Sequence, residues 1–272
     1  MGADAYIVEH PFFSSFLLTV GGLCGVLVNC FILYKVIHRN VFGRAFGWIW
    51  ISGGFADLTT GLIFMVIVGP GILLSLKPKL FILAIQVAIH CTIVSLLSNL
   101  LIALNRCLLI TIPFTFKRVF TNRKTLILIG LTWLFTICVL SPGYLTPGCL
   151  EEATDRNNHV FLLTRPNLSC AYLIQLVTFS IVATTLLVTL VADLMAIYKL
   201  RNMSKIRNQI TSVKLSPRSQ KRHLNLCLMI ATQSIVTPTF FVLNSVGSVI
   251  RDPTWCFMLT LVLWVVMVTV DG

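Results

Sequence analysis

The chain has 272 residues, of which 57% are hydrophobic and only 11% charged, with a formal net charge of +12. Soluble domains carry about 25% charged residues, so a water-soluble fold is excluded, and apolar stretches recurring along the whole length exclude a soluble head on a single anchor. A basic excess that would point to nucleic acid in a soluble protein is a topology signal here, because its position follows the loops.

The first ten residues carry Asp4 and Glu9 but no Lys or Arg. No basic stretch and no small-residue cleavage site precede Phe12, so the first apolar segment is expected to be an uncleaved signal anchor with the amino end outside the cell. A helix needs about 20 apolar residues to span hydrocarbon. Candidates occur at 12–37, 46–68, 80–110, 126–140, 171–198, 224–250 and 255–270. The expectation is an all-α membrane bundle of seven helices forming one domain over 1–272, without internal repeat, linker or low-complexity segment. The seventh segment starts at Trp255 and meets the terminal Asp271-Gly272, so it is expected to be truncated and to leave no cytosolic tail. A fragment, or a protein without signalling activity, is an open reading of that ending.

With the amino end outside, Lys and Arg divide unevenly between the two sides, as the positive-inside rule requires. The inner side receives sixteen: Lys35, Arg39 and Arg44; Arg106, Lys117, Arg118, Arg123 and Lys124; and Lys199, Arg201, Lys205, Arg207, Lys214, Arg218, Lys221 and Arg222. The outer side receives five, Lys77, Lys79, Arg156, Arg165 and Arg251. The sequon Asn167-Leu168-Ser169 falls in the second outer loop and is a candidate glycosylation site, whereas Asn202-Met203-Ser204 falls inside and is expected to stay unmodified. Of nine cysteines, Cys149 and Cys170 are the two clearly extracellular ones. In that oxidising compartment they are expected to pair within one loop, two free thiols being the alternative.

Acids inside hydrocarbon cost at least about 2.5 kcal/mol on insertion scales and so usually face the bundle interior. Asp57 lies in the middle of the second segment, Asp193 near the cytosolic end of the fifth, and Asp271 next to the end of the chain. Asn29, Ser95 and Asn99 are polar at a depth similar to Asp57. A central cluster of these groups reads either as a bistable switch or cation site, or as interhelical glue. Pro238 interrupts the sixth segment and favours a kink, read either as a lever or as a static bend.

Several of these residues occur in the order and near the spacing of the rhodopsin-like G-protein-coupled receptors, over nearly the whole chain. Asn29, Asp57 and Trp133 resemble that family's marks in helices one, two and four, and Pro142 follows the Trp. Asn105-Arg106-Cys107 resembles the Asp-Arg-Tyr motif. Pro113-Phe114 follows Arg106 where the family meets its G protein, and Pro238 resembles the proline of helix six. Three departures narrow the resemblance: Asn105 replaces an acid, no Cys opens the third segment, and Trp264 with Asp271-Gly272 stands where the seventh helix usually has Asn-Pro. The combination is similar to the nematode chemosensory serpentine receptors of class X. The resemblance implies a small-molecule receptor in the plasma membrane of a sensory cell, which signals through a heterotrimeric G protein at Asn105, Arg106, Pro113 and Phe114. Asn29, Asp57, Ser95, Pro238 and Asp271 would then form the intramembrane switch.

No acid lies between Lys199 and Ile250, so the usual resting-state salt bridge from Arg106 to the sixth helix has no carboxylate there. Outer-half candidates for ligand contact are Gln86, Thr92, Gln175, Phe240, Phe241, Asn244 and Trp264, none of them charged. Ala88 stands near where amine receptors carry an Asp, so a small neutral or weakly polar ligand is expected. Helix packing is the other reading of each of these residues. Residues 255–272 contain no Lys, which excludes retinal held as a Schiff base there. A transporter is the alternative from another class, but repeats and paired helix breaks are missing. No spacing of an enzyme site appears, and neither cofactor, metal nor nucleic acid is expected.

Overall fold

The computed structural model describes residues 10–39, 44–74, 78–112, 120–145, 151–154, 160–164, 168–210, 239, 242–243, 253–258 and 262–266. The helices are α1 (Pro11–Arg39), α2 (Arg44–Ile63), α3 (Gly69–Leu74), α4 (Pro78–Thr111), α5 (Asn122–Leu145), α6 (Leu168–Ile210) and the short α7 (Pro253–Phe257). Five helical stretches among the described residues are long and apolar enough to cross a membrane: Pro11–His38, Phe46–Leu74, Leu83–Thr111, Asn122–Ser141 and Leu176–Lys199. The sixth segment, 224–250, lies almost wholly outside the described residues, and so do Asp271 and the end of the seventh.

Long runs of apolar residues make these helices, and several of their Thr hydroxyls bond back to their own helix. Thr60 donates to the carbonyl of Ala56, Thr92 to Ala88, Thr111 to Cys107, Thr136 to Thr132 and Thr189 to Thr185, at 2.6 to 3.1 Å. Such four-residue back-bonds satisfy a polar group where water is missing. Helix α4 stops at Thr111, two residues before Pro113, whose ring disfavours helical backbone in the residue preceding it.

The second crossing is not one uniform helix. Between α2 and α3 lies a π-turn, Phe64–Val68, closed by the N–H of Gly69 donating to the carbonyl of Phe64. Pro70 follows at once and cannot donate to the carbonyl four residues back. The wider turn absorbs that mismatch, and it leaves Phe64 and Val68 fully buried.

Helices α1 and α2 meet through glycines. A Cβ on Gly22 would lie 2.6 Å from the Met65 backbone nitrogen and 2.7 Å from the Gly61 carbonyl oxygen. Small residues let membrane helices approach this closely, which stands in for the hydrophobic drive that lipid does not supply. More than half of the α4 span is buried (56%) against 17% of the α5 span, so α4 is central and α5 peripheral. The large exposed side chains, among them Phe12, Phe16, Leu27 and Phe31 on α1 and Ile127, Leu131, Leu134 and Ile137 on α5, form the lipid-facing surface.

One feature departs from a purely helical chain. In the loop between α5 and α6, β1 (Glu151–Thr154) pairs antiparallel with β2 (Val160–Thr164), Glu151 opposite Thr164 and Thr154 opposite Val160, with an irregularity between Ala153 and Thr154. The sequence did not announce this hairpin, because its short strands carry no clean alternation. It leaves the membrane domain all-α.

Candidate functional site

Near the C-terminal end of α4, Asn105 and Arg106 are both buried, 2% and 6% exposed. The guanidinium of Arg106 lies over the Phe46 ring of α2, 6.0 Å from its centroid. It is also within electrostatic reach of Asp193 on α6, which is itself only 3% exposed. Just beside that pair, Ala103 and Cys107 of α4 pack with Ala192 of α6 in one buried cluster. The Nδ2 of Asn105 is buried without a hydrogen-bond partner among the described residues. Pro113 and Phe114 lie outside the described residues.

Near the membrane centre, Asn29, Asp57 and Ser95 are all buried. Asp57 and Asn99 line one small cavity with Ile32, Trp50, Gly53, Gly54 and Ile102, with room for about one water molecule. The Nδ2 of Asn29 donates to the carbonyl of Gly25 at 2.9 Å within α1. Trp133 of α5 donates through Nε1 to the Ser52 hydroxyl at 3.1 Å, and its ring lies 6.5 Å from that of Phe55. It therefore fastens the peripheral α5 to α2. Pro238 and Asp271 lie outside the described residues.

Nearer the N-terminal end of α4, Trp264 donates through Nε1 to the Thr92 hydroxyl at 2.9 Å. Its ring stands edge-on to Phe64 in the π-turn, centroids 5.0 Å apart at 83°. The π-turn thus presents Phe64 to both the third and the seventh segment. Around it, Leu18, Ile63, Phe64, Val68, Ile72, Ala84, Ala88, Phe257 and Val265 form the largest buried cluster among the described residues. Ala88 is fully buried (0%) within it. Gln86 is half-buried, and its carbonyl accepts from Nδ1 of His90 at 2.7 Å. Gln175 lies on α6 with its side chain outside the description, and Phe240, Phe241 and Asn244 are outside it altogether.

The loop sites fall largely beyond view. Cys149 and Asn167 lie outside the described residues, and Cys170 is placed only as part of the first turn of α6. Among the described residues, Cys24, Cys30, Cys91, Cys107 and Cys138 are free thiols, and no group of three His, Cys, Asp or Glu could hold a metal ion.

Sequence reasoning placed Arg106 and Asp193 separately but did not bring them together. The signal was present, since both are charged residues in membrane segments, but which face of the fifth segment turns inward is a matter of helix rotation. Phe46 carried no signal at all.

A family model described as serpentine type 7TM GPCR chemoreceptor Srx matches residues 20–272. No curated protein matches the chain. The chain belongs to that family of seven-transmembrane chemoreceptors and is a multi-pass membrane protein.

Proposed function

We propose that this chemoreceptor detects a small neutral or weakly polar molecule in the outer half of its bundle and signals through a heterotrimeric G protein at its inner end, in the plasma membrane. The observation that carries the reading is Arg106, a cation held almost fully buried at the inner end of α4, over the Phe46 ring and within electrostatic reach of Asp193. A charge kept in that position is costly for a static scaffold. It suits a group that is released to an incoming partner. Asn105, Pro113 and Phe114 would complete that docking surface.

The ligand chemistry follows from the outer half, where Ala88 is buried among apolar side chains and Thr92 and Trp264 satisfy each other. A cationic ligand would find no counter-charge there. Contacts from Gln86, Gln175, Phe240, Phe241 and Asn244 are part of the same proposal. Ligand binding shifts the population of two states through the polar centre of Asn29, Asp57 and Ser95, with Pro238 and Asp271 as the moving parts. The outer loop is closed by a Cys149–Cys170 bridge and carries a glycan on Asn167.

The test is a screen of volatile and water-soluble small molecules in cells that express the full chain with a promiscuous G protein. A ligand-dependent response is expected, and Arg106→Ala is expected to reduce it by about tenfold or more, within the range of coupling between the two ends of a switch. Steady solute flux without G-protein activation would instead make the protein a transporter.

A further inference from the structure

Arg106 needs a counter-charge wherever it is withdrawn from water. Neither place where receptors of this build usually carry one is available, because Asn105 is neutral and no acid occurs between Lys199 and Ile250. Of the other acids in the membrane segments, Asp57 lines the central cavity with Asn99. Asp193 is buried on α6, next to Ala192, at the point where Ala192 packs against Ala103 and Cys107 of α4. These are small side chains, and they let the two helix backbones approach and place Asp193 on the Arg106 level of α4.

We infer that Asp193 and Arg106 form the resting-state lock of this receptor, so that the inner end of α4 is clamped to the fifth crossing and not to the sixth. The inference rests on the G-protein reading of this end of the bundle. It changes what has to move. Releasing Arg106 requires a change at the contact of α4 with α6, and displacement of the sixth segment alone leaves the clamp closed. The structure also supplies a lever, because α6 continues to Ile210 whereas its membrane span ends at Lys199. That extension adds about 16 Å of helix at 1.5 Å per residue and carries Arg201, Lys205 and Arg207 just beyond Lys199. An acidic face of a docking partner that engages it pulls on the same helix that bears Asp193.

The pair and the lock are tested separately on the full chain. Melting temperatures in detergent are compared for the natural sequence, Asp193→Asn, Arg106→Gln and the double variant. The double variant is expected to lose clearly less than the sum of the single losses, and additive losses overturn the pair. Basal signalling through a promiscuous G protein, corrected for surface expression, is expected to rise about five- to tenfold in Asp193→Asn, the lower range of allosteric coupling, and to return towards the natural level in Asp193→Glu. Non-additive melting with unchanged basal signalling overturns the lock and leaves a structural pair. Non-additive melting with no signal from any variant, ligand screen included, overturns the G-protein reading and the lock with it. A variant that touches neither charge, Ala192→Cys, sets a thiol beside the native Cys107. Cross-linking the two is expected to abolish basal signalling, with recovery on reduction, and signalling that persists through a formed cross-link overturns the lock.

Discussion

Among single residues, Trp264 shows how one side chain carries both structure and a candidate ligand contact. Its indole N–H reaches Thr92 and its ring meets Phe64, so it ties the seventh segment to α4 and to the π-turn at once. Trp264→Phe keeps the ring and loses the hydrogen bond; a loss of about 0.6–1.7 kcal/mol is expected, the measured range for interhelical hydrogen bonds in membranes. Trp264→Ala also leaves a cavity, and a loss of about 3–5 kcal/mol is expected, the range for deleting a large aromatic side chain. Thermal unfolding of the purified protein checks both values. A Phe variant that melts normally but responds to an agonist at much higher concentration assigns the indole to ligand binding instead. The sequence marked Trp264 and Thr92 separately as outer-half candidates for ligand contact and did not single out Phe64. That they meet depends on the relative rotation of three helices, which no single-helix periodicity encodes.

Helix contacts are decided by the smallest side chains. Gly22 of α1 faces backbone atoms of Met65 and Gly61 closer than a Cβ tolerates, and those atoms cannot rotate away. Gly22→Ala therefore forces the first two crossings apart, with an expected loss of about 1–3 kcal/mol, the range for overpacking. Gly47, also helical, has nothing within 4 Å of where a Cβ would stand, so Gly47→Ala is expected to be neutral or to stabilise by up to about 1 kcal/mol through helix propensity. Paired thermal melts separate the two, and equal effects would show that α1 and α2 do not pack through Gly22. The π-turn belongs to this scale as well. The missing N–H of Pro70 could be absorbed by a bend, an unwound turn or a wider one, and the sequence does not choose among them. The choice of a π-turn follows from Phe64, which the wider turn brings into the core beside Trp264.

For the molecule as a whole, orientation is the property the sequence argues from charge, sixteen basic residues against five. Glycosidase treatment of protein made in a glycosylating cell is expected to shift the natural chain and the Asn202→Gln variant, and to leave the Asn167→Gln variant unshifted. The opposite pattern inverts the bundle and moves Arg106 to the outside, which removes the proposed G-protein site. The long α6 with its basic extension is consistent with an inner position, where anionic lipid attracts such residues.

The sequence by itself determined the class: apolar length fixes helices that cross a bilayer, because unsatisfied backbone is intolerable in hydrocarbon, and the Asn105-Arg106 pair with its neighbours pointed to the receptor family. Tertiary structure alone decided which polar residues meet. Asp193 lies 87 positions from Arg106 in the chain and comes within electrostatic reach of it where small residues on α4 and α6 let those helices touch. Composition tells a helix to enter the membrane, but its rotation about its own axis is set by the side chains of its neighbours, and the contacts of Arg106 depend on that rotation.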